Sequence, residues 1–291
     1  MSQDTQDTTR HVAACIDGSA YAAAACDAAV WAAAKLSSAL TFVHVISRRK
    51  HAAATDYSGQ IGLGSREHLL DELAELDGQR ARLARERGAD LLDAARQRAQ
   101  AGGVTESRPI QRTGELVDAL QHIEAHVRLL VIGKRGDSAG DDNHLGSNLE
   151  RVIRGVACPV LITSQTFSPP ERVLIAYDGS ATTRNLIQRA VATPLLAGIE
   201  AHLVTVGDDD AQQRADLEAA AESLRGAGAA EVHTAVLSGD VEPALHAYQK
   251  EQDCDLMVMG AYGHTRIRHM LVGSTTTDMI RRAEVPVLIT R

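Results

Sequence analysis

The sequence is poor in aromatic residues, which make up 3% of its 291 residues, and alanine fills many of its apolar segments instead. No apolar run is long enough to span a bilayer: the longest, residues 20–34, is short and interrupted by Asp27. The amino terminus lacks the basic and apolar regions of a secretion signal. The net charge is −8, so the basic surface that nucleic acids and anionic membranes select is missing as well. These absences predict a soluble, cytoplasmic protein that binds neither nucleic acid nor membranes.

Cysteine is also scarce, and no Cys-x-x-Cys pair is present. The four cysteines lie in or beside predicted strands and helices: Cys15, Cys26, Cys158 and Cys254. This pattern predicts small core residues of a protein kept in a reducing compartment. The rest of the composition, 44% hydrophobic and 23% charged, is that of an ordinary globular protein, and the length suits two domains.

The chain contains an internal repeat. The segment HVAACIDGS at residues 11–19 recurs as RVLIAYDGS at residues 172–180, and LLVIG at 129–133 recurs as LMVMG at 256–260. The unequal offsets place about 34 extra residues in the first copy, within about 48–102. The repeat predicts two domains, at 1–165 and 170–291, joined by a short, polar, proline-bearing linker at 164–170.

Apolar, β-rich segments alternate with amphipathic segments in both copies. Strands are predicted at 11–17, 40–46, 106–112, 128–133 and 158–163, and at 172–177, 200–206, 231–237, 254–260 and 286–290. Helices are predicted in the second copy at 181–197, 210–227, 240–252 and 274–284. This order is typical of an α/β protein with two tandem doubly wound, Rossmann-like domains, each with a five-stranded parallel sheet. In such sheets, ligands bind beyond the carboxyl ends of the strands, where the strand order reverses.

The extra residues of the first copy include a long predicted helix at about 65–101. Its leucines at 69, 73, 76 and 83 follow a coiled-coil spacing that Arg80 and Arg87 interrupt. The apolar seam is too short for a coiled coil. The helix is therefore interpreted as an extended cover of its own sheet, with an interface or regulatory element as the alternative.

One glycine pattern occurs in both copies, after the fourth strand and before a helix. It reads Gly-x2-Gly-x9-Gly-Ser, at 133–147 and at 260–274. Glycines let backbone N–H groups approach an anion, and the N-terminus of the following helix attracts phosphate. Together with an Asp-Gly-Ser at the end of each first strand, the pattern predicts nucleotide binding. The alternative interpretation treats the aspartates as turn-forming residues and the glycine loops as helix entries.

These motifs resemble the tandem type of the universal stress protein family, whose ATP-binding members carry this glycine pattern. The resemblance covers nearly the whole chain and implies a stress-response, regulatory protein that binds ATP, alone or with Mg²⁺. It also implies a pseudo-dimer of the two halves, in which the final strands, with Leu161-Ile-Thr and Leu288-Ile-Thr, pair with each other.

The resemblance further implies which residues bind the nucleotide. In the second half these are Ala176, Tyr177, Asp178, Val206, Met259, Gly260, Tyr262, Gly263, Gly273, Ser274, Thr275 and Thr276. In the first half, as a weaker site, they are Cys15, Ile16, Asp17, Val45, Ile132, Gly133, Arg135, Gly136, Gly146, Ser147 and Asn148.

The two predicted sites differ in charge. The second-half loop carries His264, Arg266, Arg268 and His269, whereas the first-half loop carries Asp137, Asp141 and Asp142. The first half also has Leu149 where the second has the hydroxyl of Thr276. Because carboxylates repel a triphosphate unless a cation lies between them, the second half is expected to be the better ATP site.

Catalytic machinery is not evident from the sequence. The P-loop pattern and the Gly-x-Ser-x-Gly nucleophile elbow are absent, and His122 and His126, four apart on a predicted helix, are interpreted as surface histidines rather than metal ligands. The alternatives to a regulatory ATP binder are slow ATP hydrolysis or autophosphorylation on Ser274, Thr275 or Thr276, and a nucleotide-free scaffold. The protein partner, a further homodimer and the preference among ATP, ADP, AMP and cyclic nucleotides stay open.

Overall fold

The structure, a computed structural model, describes residues 10–47, 63–137, 147–261 and 274–291. The first half alternates strands and helices in the predicted order. Its elements are β1 (His11–Cys15), α1 (Ala22–Lys35), β2 (Leu40–Ile46), α2 (Leu63–Ala101), β3 (Ser107–Thr113), α3 (Leu116–Gln121), a 3₁₀ turn (Glu124–His126), β4 (Val127–Gly133), α4 (Ser147–Gly155) and β5 (Val160–Thr163).

The second half repeats this order with a shorter second helix. Its elements are β6 (Arg172–Ala176), α5 (Ala181–Ala192), a 3₁₀ turn (Pro194–Leu196), β7 (Glu200–Val206), α6 (Ala211–Gly226), β8 (Val232–Leu237), α7 (Val241–Glu251), β9 (Leu256–Gly260), α8 (Ser274–Arg282) and β10 (Val287–Thr290). The extra residues of the first half are largely accounted for by α2, which has 39 residues where α6 has 16.

The ten strands form one continuous sheet in the order β3-β2-β1-β4-β5-β10-β9-β6-β7-β8. Pairing is parallel within each half, and β5 and β10 join the halves in antiparallel register, with Leu161 opposite Leu288. The predicted α/β architecture and the predicted pairing of the final strands are both confirmed. The strand order reverses between β1 and β4 and between β9 and β6, which identifies the two carboxyl edges where ligands are expected.

Side chains from both halves build the core. The apolar strands are buried because helices cover both faces of the sheet, and one apolar cluster includes residues of the first half and of the second. Helix α1 lies near the junction: its Lys35 Nζ donates to the carbonyl of Ala197, 2.9 Å away in the other half. Trp31 packs against Phe167 of the linker, with ring centroids 5.7 Å apart. The linker is therefore packed onto the fold rather than acting as a free tether.

Among the described side chains of α2, those that are buried against the rest of the first half lie toward its carboxyl end and include Leu92, Ala95 and Ala99. Toward its other end, Leu73, Leu76 and Leu83 are about half exposed. The predicted role as an extended cover thus holds for one part of the helix. Among the helices that the structure describes, none combines the length and apolarity needed to cross a membrane.

Lys134 links the first-half glycine loop to the second half, because its Nζ donates to the carbonyl of Ala283, 2.8 Å away. Burial, reinforced by the nearby Arg135, lowers the pKa of Lys134 to about 8, although Glu284 opposes the shift. The native chain therefore binds fewer protons than the unfolded chain between pH 8 and the ordinary lysine value of 10.5.

We expect the free energy of unfolding of the unchanged chain to rise through this pH range relative to that of a Lys134→Met variant. The stabilisation that results from the lowered pKa of Lys134 is fully present above the unfolded-state pKa. It is lost as the pH falls through the folded-state pKa. Urea unfolding of both proteins at several pH values on each side of pH 8 measures the difference. A difference that does not change with pH would contradict the assignment.

Candidate functional site

The two predicted aspartates lie at the points where the strand order reverses. Asp17 follows β1, next to the end of β4, and Asp178 follows β6, next to the end of β9. Parallel strands place these carboxyl ends at a common edge in each half. The structure therefore gathers the first-strand and fourth-strand segments that the repeat pointed to.

In the second half, Asp178 organises the turn that leads into α5. Its Oδ1 accepts hydrogen bonds from the backbone N–H of Ser180 at 2.9 Å and from the Thr183 hydroxyl at 2.8 Å. Gly179 has a φ of +67°, which favours glycine, and Ser180 Oγ caps α5 by accepting from the Thr183 N–H. Asp178 therefore forms a turn, as the alternative interpretation of the sequence expects of this aspartate.

In the first half, Asp17 makes the same kind of turn and adds a contact to the glycine loop. Its Oδ1 accepts from the Ser19 N–H at 3.0 Å and its Oδ2 from the Asp137 N–H at 3.2 Å. A side chain at Gly136 would place its Cβ 3.0 Å from Asp17 Oδ2. The strand-one aspartate and the loop that follows β4 are therefore in direct contact.

The glycines that end β4 and β9 allow α1 and α5, the helices that follow the neighbouring strands β1 and β6, to pack closely. A Cβ at Gly133 would lie 2.6 Å from Tyr21 Cβ, and one at Gly260 would lie 2.9 Å from Thr182 Cγ2. These two glycines of the predicted phosphate pattern are therefore required by helix packing, whatever the ligand.

The remaining predicted residues differ in burial, and some of them lie outside the described residues. Ile16, Ile132, Tyr177, Met259 and Thr276 are buried, and Cys15, Val45, Arg135, Ala176 and Val206 are partly buried at the same edges. Asn148 and Thr275 are exposed in the first turns of α4 and α8. Gly146, Tyr262, Gly263 and Gly273 lie outside the described residues, as do His264, Arg266, Arg268, His269, Asp141 and Asp142, while Ser147 and Ser274 are described only as the first residues of α4 and α8.

Thr276 has a structural contact that the sequence did not reveal. Its Oγ1 donates to the carbonyl of Ala261 at 3.2 Å, which ties α8 to the end of β9. Leu149, the corresponding residue of the first half, is fully buried. In this structure the Thr276 hydroxyl faces the protein interior rather than solvent.

A cavity of about 240 Å³ opens beside Asp178, at the carboxyl ends of β6 and β7. Its lining is polar and is shared by the turn after β6, the end of β7 and the amino-terminal parts of α5 and α6. The lining residues are Tyr177, Asp178, Gly179, Arg184, Thr205, Asp210, Gln212, Gln213 and Asp216.

Sequence reasoning missed Arg184, Thr205 and Gln213, which complete this cavity. Gln213 Nε2 lies 3.5 Å from Thr205 Oγ1, and within the described part of the chain the buried Gln213 Oε1 accepts no hydrogen bond. A sequence signal existed, since Arg184 and Gln213 occupy first-turn positions of helices that follow strands ending at this edge.

The corresponding region of the first half is crossed by α2. Gly88 of α2 is buried, and a Cβ there would lie 2.6 Å from His44 Cδ2. The neighbouring Arg87 lies 3.6 Å from Asp137 Oδ2 and would lie 2.6 Å from a Cβ at Gly18. The guanidinium of Arg87 therefore lies beside the first-half turn, whereas the second-half turn borders a cavity.

The fold bears on two other sequence interpretations, and of the four cysteines predicted to lie in the core, Cys26 and Cys254 are buried whereas Cys15 and Cys158 are partly buried. The predicted helix through His122 and His126 is wrong, because α3 ends at Gln121 and a 3₁₀ turn follows; both histidines are nevertheless exposed, as predicted. All four cysteines are free. Burial raises the pKa of Cys26, Cys158 and Cys254 to about 12, so these thiols are poor nucleophiles near neutral pH.

Comparison with known proteins agrees with this arrangement. The model of the universal stress protein family matches the chain twice, at residues 8–164 and 170–291. The chain belongs to the universal stress protein family. Its tandem character is shared with the universal stress protein Slr1230 of Synechocystis, which is 36% identical over 97% of this chain and all of that protein.

Solved structures of other universal stress proteins share the fold of this chain over nearly its whole length. A universal stress protein from Archaeoglobus fulgidus covers 97% of the chain, and 98% of its own length is matched, with a TM-score of 0.73 and 24% identity. One from Pseudomonas aeruginosa covers 98%, with 94% of its own length matched, a TM-score of 0.60 and 17% identity. At these identities the likeness supports the fold alone.

Proposed function

We propose that this universal stress protein is a regulatory, stress-response protein that binds an adenine nucleotide, ATP above all, in its second half. The observation that carries the proposal is the polar cavity beside Asp178, at the point where the strand order reverses. Its 240 Å³ is below the roughly 300 Å³ at which enclosing ligand pockets begin. The cavity therefore suits one portion of a nucleotide rather than the whole molecule.

The chemistry of the lining favours the nucleoside portion. Asp178, Asp210 and Asp216 supply carboxylates, which accept hydrogen bonds from ribose hydroxyls or a base amino group and repel phosphate. The buried Gln213 Oε1 is a further acceptor, which a ligand N–H or O–H would satisfy. Among the described residues of the lining, Arg184 is the one that carries a positive charge.

The phosphates would then lie over the amino terminus of α8, which begins at Ser274 after the glycine loop. A helix amino terminus attracts anions through its unpaired N–H groups and its dipole. The second half is favoured over the first because Arg87 of α2 lies beside the first-half turn and would lie 2.6 Å from a Cβ at Gly18, whereas the second-half turn borders the cavity. A regulatory role follows if partners distinguish the nucleotide-bound from the nucleotide-free protein, which requires that the ligand bind two conformations differently.

The first test is to denature freshly purified protein, identify any released nucleotide and measure its molar ratio. Calorimetric titration of nucleotide-free protein with ATP, ADP, AMP and cyclic AMP follows, with and without Mg²⁺. About one site per chain is expected. Two equivalent sites would contradict the preference for the second half, and flat titrations with all four nucleotides would favour a nucleotide-free scaffold.

A further inference from the structure

Two histidines and one glutamate meet on a face of the second half that the nucleotide proposal does not use. His202 on β7 is paired in register with His233 on β8, and Glu200 lies two residues before His202 on the same face of β7. Glu200 is the first residue of β7, so the cluster lies at the amino ends of the strands, away from the edge that holds Asp178. One ligand atom from each of the three side chains lies within 4.8 Å of the other two. Within the described ranges, no other group of three or more His, Cys, Asp and Glu side chains meets this criterion.

The distances match those between ligands of one divalent ion. Glu200 Oε1 lies 3.1 Å from His202 Nε2 and 3.3 Å from His233 Nε2. Ligand atoms held tetrahedrally at about 2.0–2.1 Å from Zn²⁺ are about 3.3 Å apart. Two of the three edges of such a site are therefore already formed, and the third, between the histidines, requires at most a modest contraction.

The surroundings orient the ligands as metal sites require. The other ring nitrogen of His202, Nδ1, lies 3.0 Å from the hydroxyl of Tyr248 on α7, which covers this face. Because a hydroxyl both donates and accepts, Tyr248 satisfies either tautomer of His202, including the one that leaves Nε2 free to bind a cation. Arg172 Nε lies 3.4 Å from Glu200 Oε2, the oxygen that does not contact the histidines.

The three side chains differ in exposure, from a buried histidine to a partly exposed one. The His202 side chain is 5% exposed, Glu200 is 30% and His233 is 41%. An ion can therefore enter from the side of His233, which is the most exposed of the three. Glu231 lies on that side, with its Oε1 3.5 Å from His233 Nε2. This leaves a position open for water or for Glu231 as a fourth ligand.

The first half provides an internal comparison. By strand register, Ala39, Thr41 and Arg108 hold the positions of Glu200, His202 and His233. A guanidinium at the position of His233 repels a cation, and neither alanine nor threonine replaces the lost ligands. The cluster is therefore a feature of the second half and not of the repeated fold.

We propose that Glu200, His202 and His233 form a binding site for a divalent transition-metal ion of the zinc class. Two imidazoles and one carboxylate are the ligand types that Zn²⁺ and its neighbours prefer, and they leave one position open. The bound ion joins β7 to β8, the edge strand of this half of the sheet. The proposal does not depend on nucleotide binding, because the two sites lie at opposite ends of the strands.

The test is equilibrium dialysis of chelator-treated full-length protein against Zn²⁺, with metal analysis and a thermal melt in parallel. We expect one tightly bound Zn²⁺ per chain and a raised melting temperature. A His233→Arg variant, which introduces the residue of the first half at a partly exposed position, is expected to lose that site. The matched control is His122→Arg, the same change at an exposed histidine elsewhere, which is expected to bind as the unchanged chain does.

A Tyr248→Phe variant separates a true site from a loose cluster. Loss of the partner that orients His202 is expected to weaken Zn²⁺ binding by about 10–100-fold without abolishing it. Equal Zn²⁺ binding by the unchanged chain and His233→Arg would overturn the proposal, because the ion would then lie elsewhere among the twelve histidines. Absence of stoichiometric binding in the unchanged chain would overturn it as well.

Discussion

A Leu161→Ala variant unfolds with a free energy about 2–5 kcal/mol below that of the unchanged chain. Leu161 is 1% exposed and lies in β5, opposite Leu288 of β10, at the junction of the halves. Truncation leaves a cavity that close-packed strands cannot fill. Because both leucines belong to a core cluster that includes residues of both halves, the loss is expected to shift one shared unfolding transition.

Urea unfolding followed by circular dichroism measures this effect. The control is Leu83→Ala, the same substitution at a leucine of α2 that is 59% exposed, for which a change within about 0.5 kcal/mol is expected. Equal losses in the two variants, or two separate transitions of which only one shifts, would be incompatible with a continuous core.

An Asp178→Ala variant is expected to bind ATP about 10–100-fold more weakly than the unchanged chain. Removing a hydrogen bond that involves a charged group costs about 1.5–3 kcal/mol, and each 1.4 kcal/mol corresponds to a factor of ten. The matched change in the first half, Asp17→Ala, is expected to alter the affinity less than about twofold, because the proposed site lies in the second half and Arg87 of α2 lies beside the first-half turn. Calorimetry with ATP measures both variants.

Asp178 also holds the turn into α5, so a second variant is needed to separate the two roles. Asp178→Asn keeps an oxygen that can accept from Ser180 and Thr183 but removes the charge. Weak binding by Asp178→Asn together with an unchanged melting temperature would assign the effect to the carboxylate. Equal weakening by Asp17→Ala and Asp178→Ala would show that the halves are equivalent.

Much of the fold followed from the repeat because strands buried on both faces leave continuous apolar segments. Segments 129–133 and 256–260 were matched to each other, and both are the fourth strands of their halves. The pairing of β5 with β10 was implied by the family resemblance rather than by the residues. The ends of elements were less accurate, as at His122, where a short helix stops and a 3₁₀ turn begins.

The parts that could not be predicted depend on contacts between distant segments. Arg87 reaches the Gly18 turn only because Gly88 lets α2 pass close to His44, a path that helical periodicity does not encode. His202 and His233 are 31 positions apart in the chain, and only the register of β7 with β8 brings them together. The predicted difference between the halves rests mainly on charged loop residues, of which only Asp137 lies within the described ranges, whereas the difference that the structure describes is the position of Arg87 and α2 beside the first-half turn.

The antiparallel junction has a consequence for how the protein can be recognised. Since β1–β5 run opposite to β6–β10, the carboxyl ends of the two halves point in opposite directions. The two reversal points are four strand spacings apart, or about 19 Å across the sheet. Proteins that dock over the two carboxyl edges would approach from opposite sides without colliding. The antiparallel junction thus separates the two candidate ligand edges, and each of them faces its own side of the molecule.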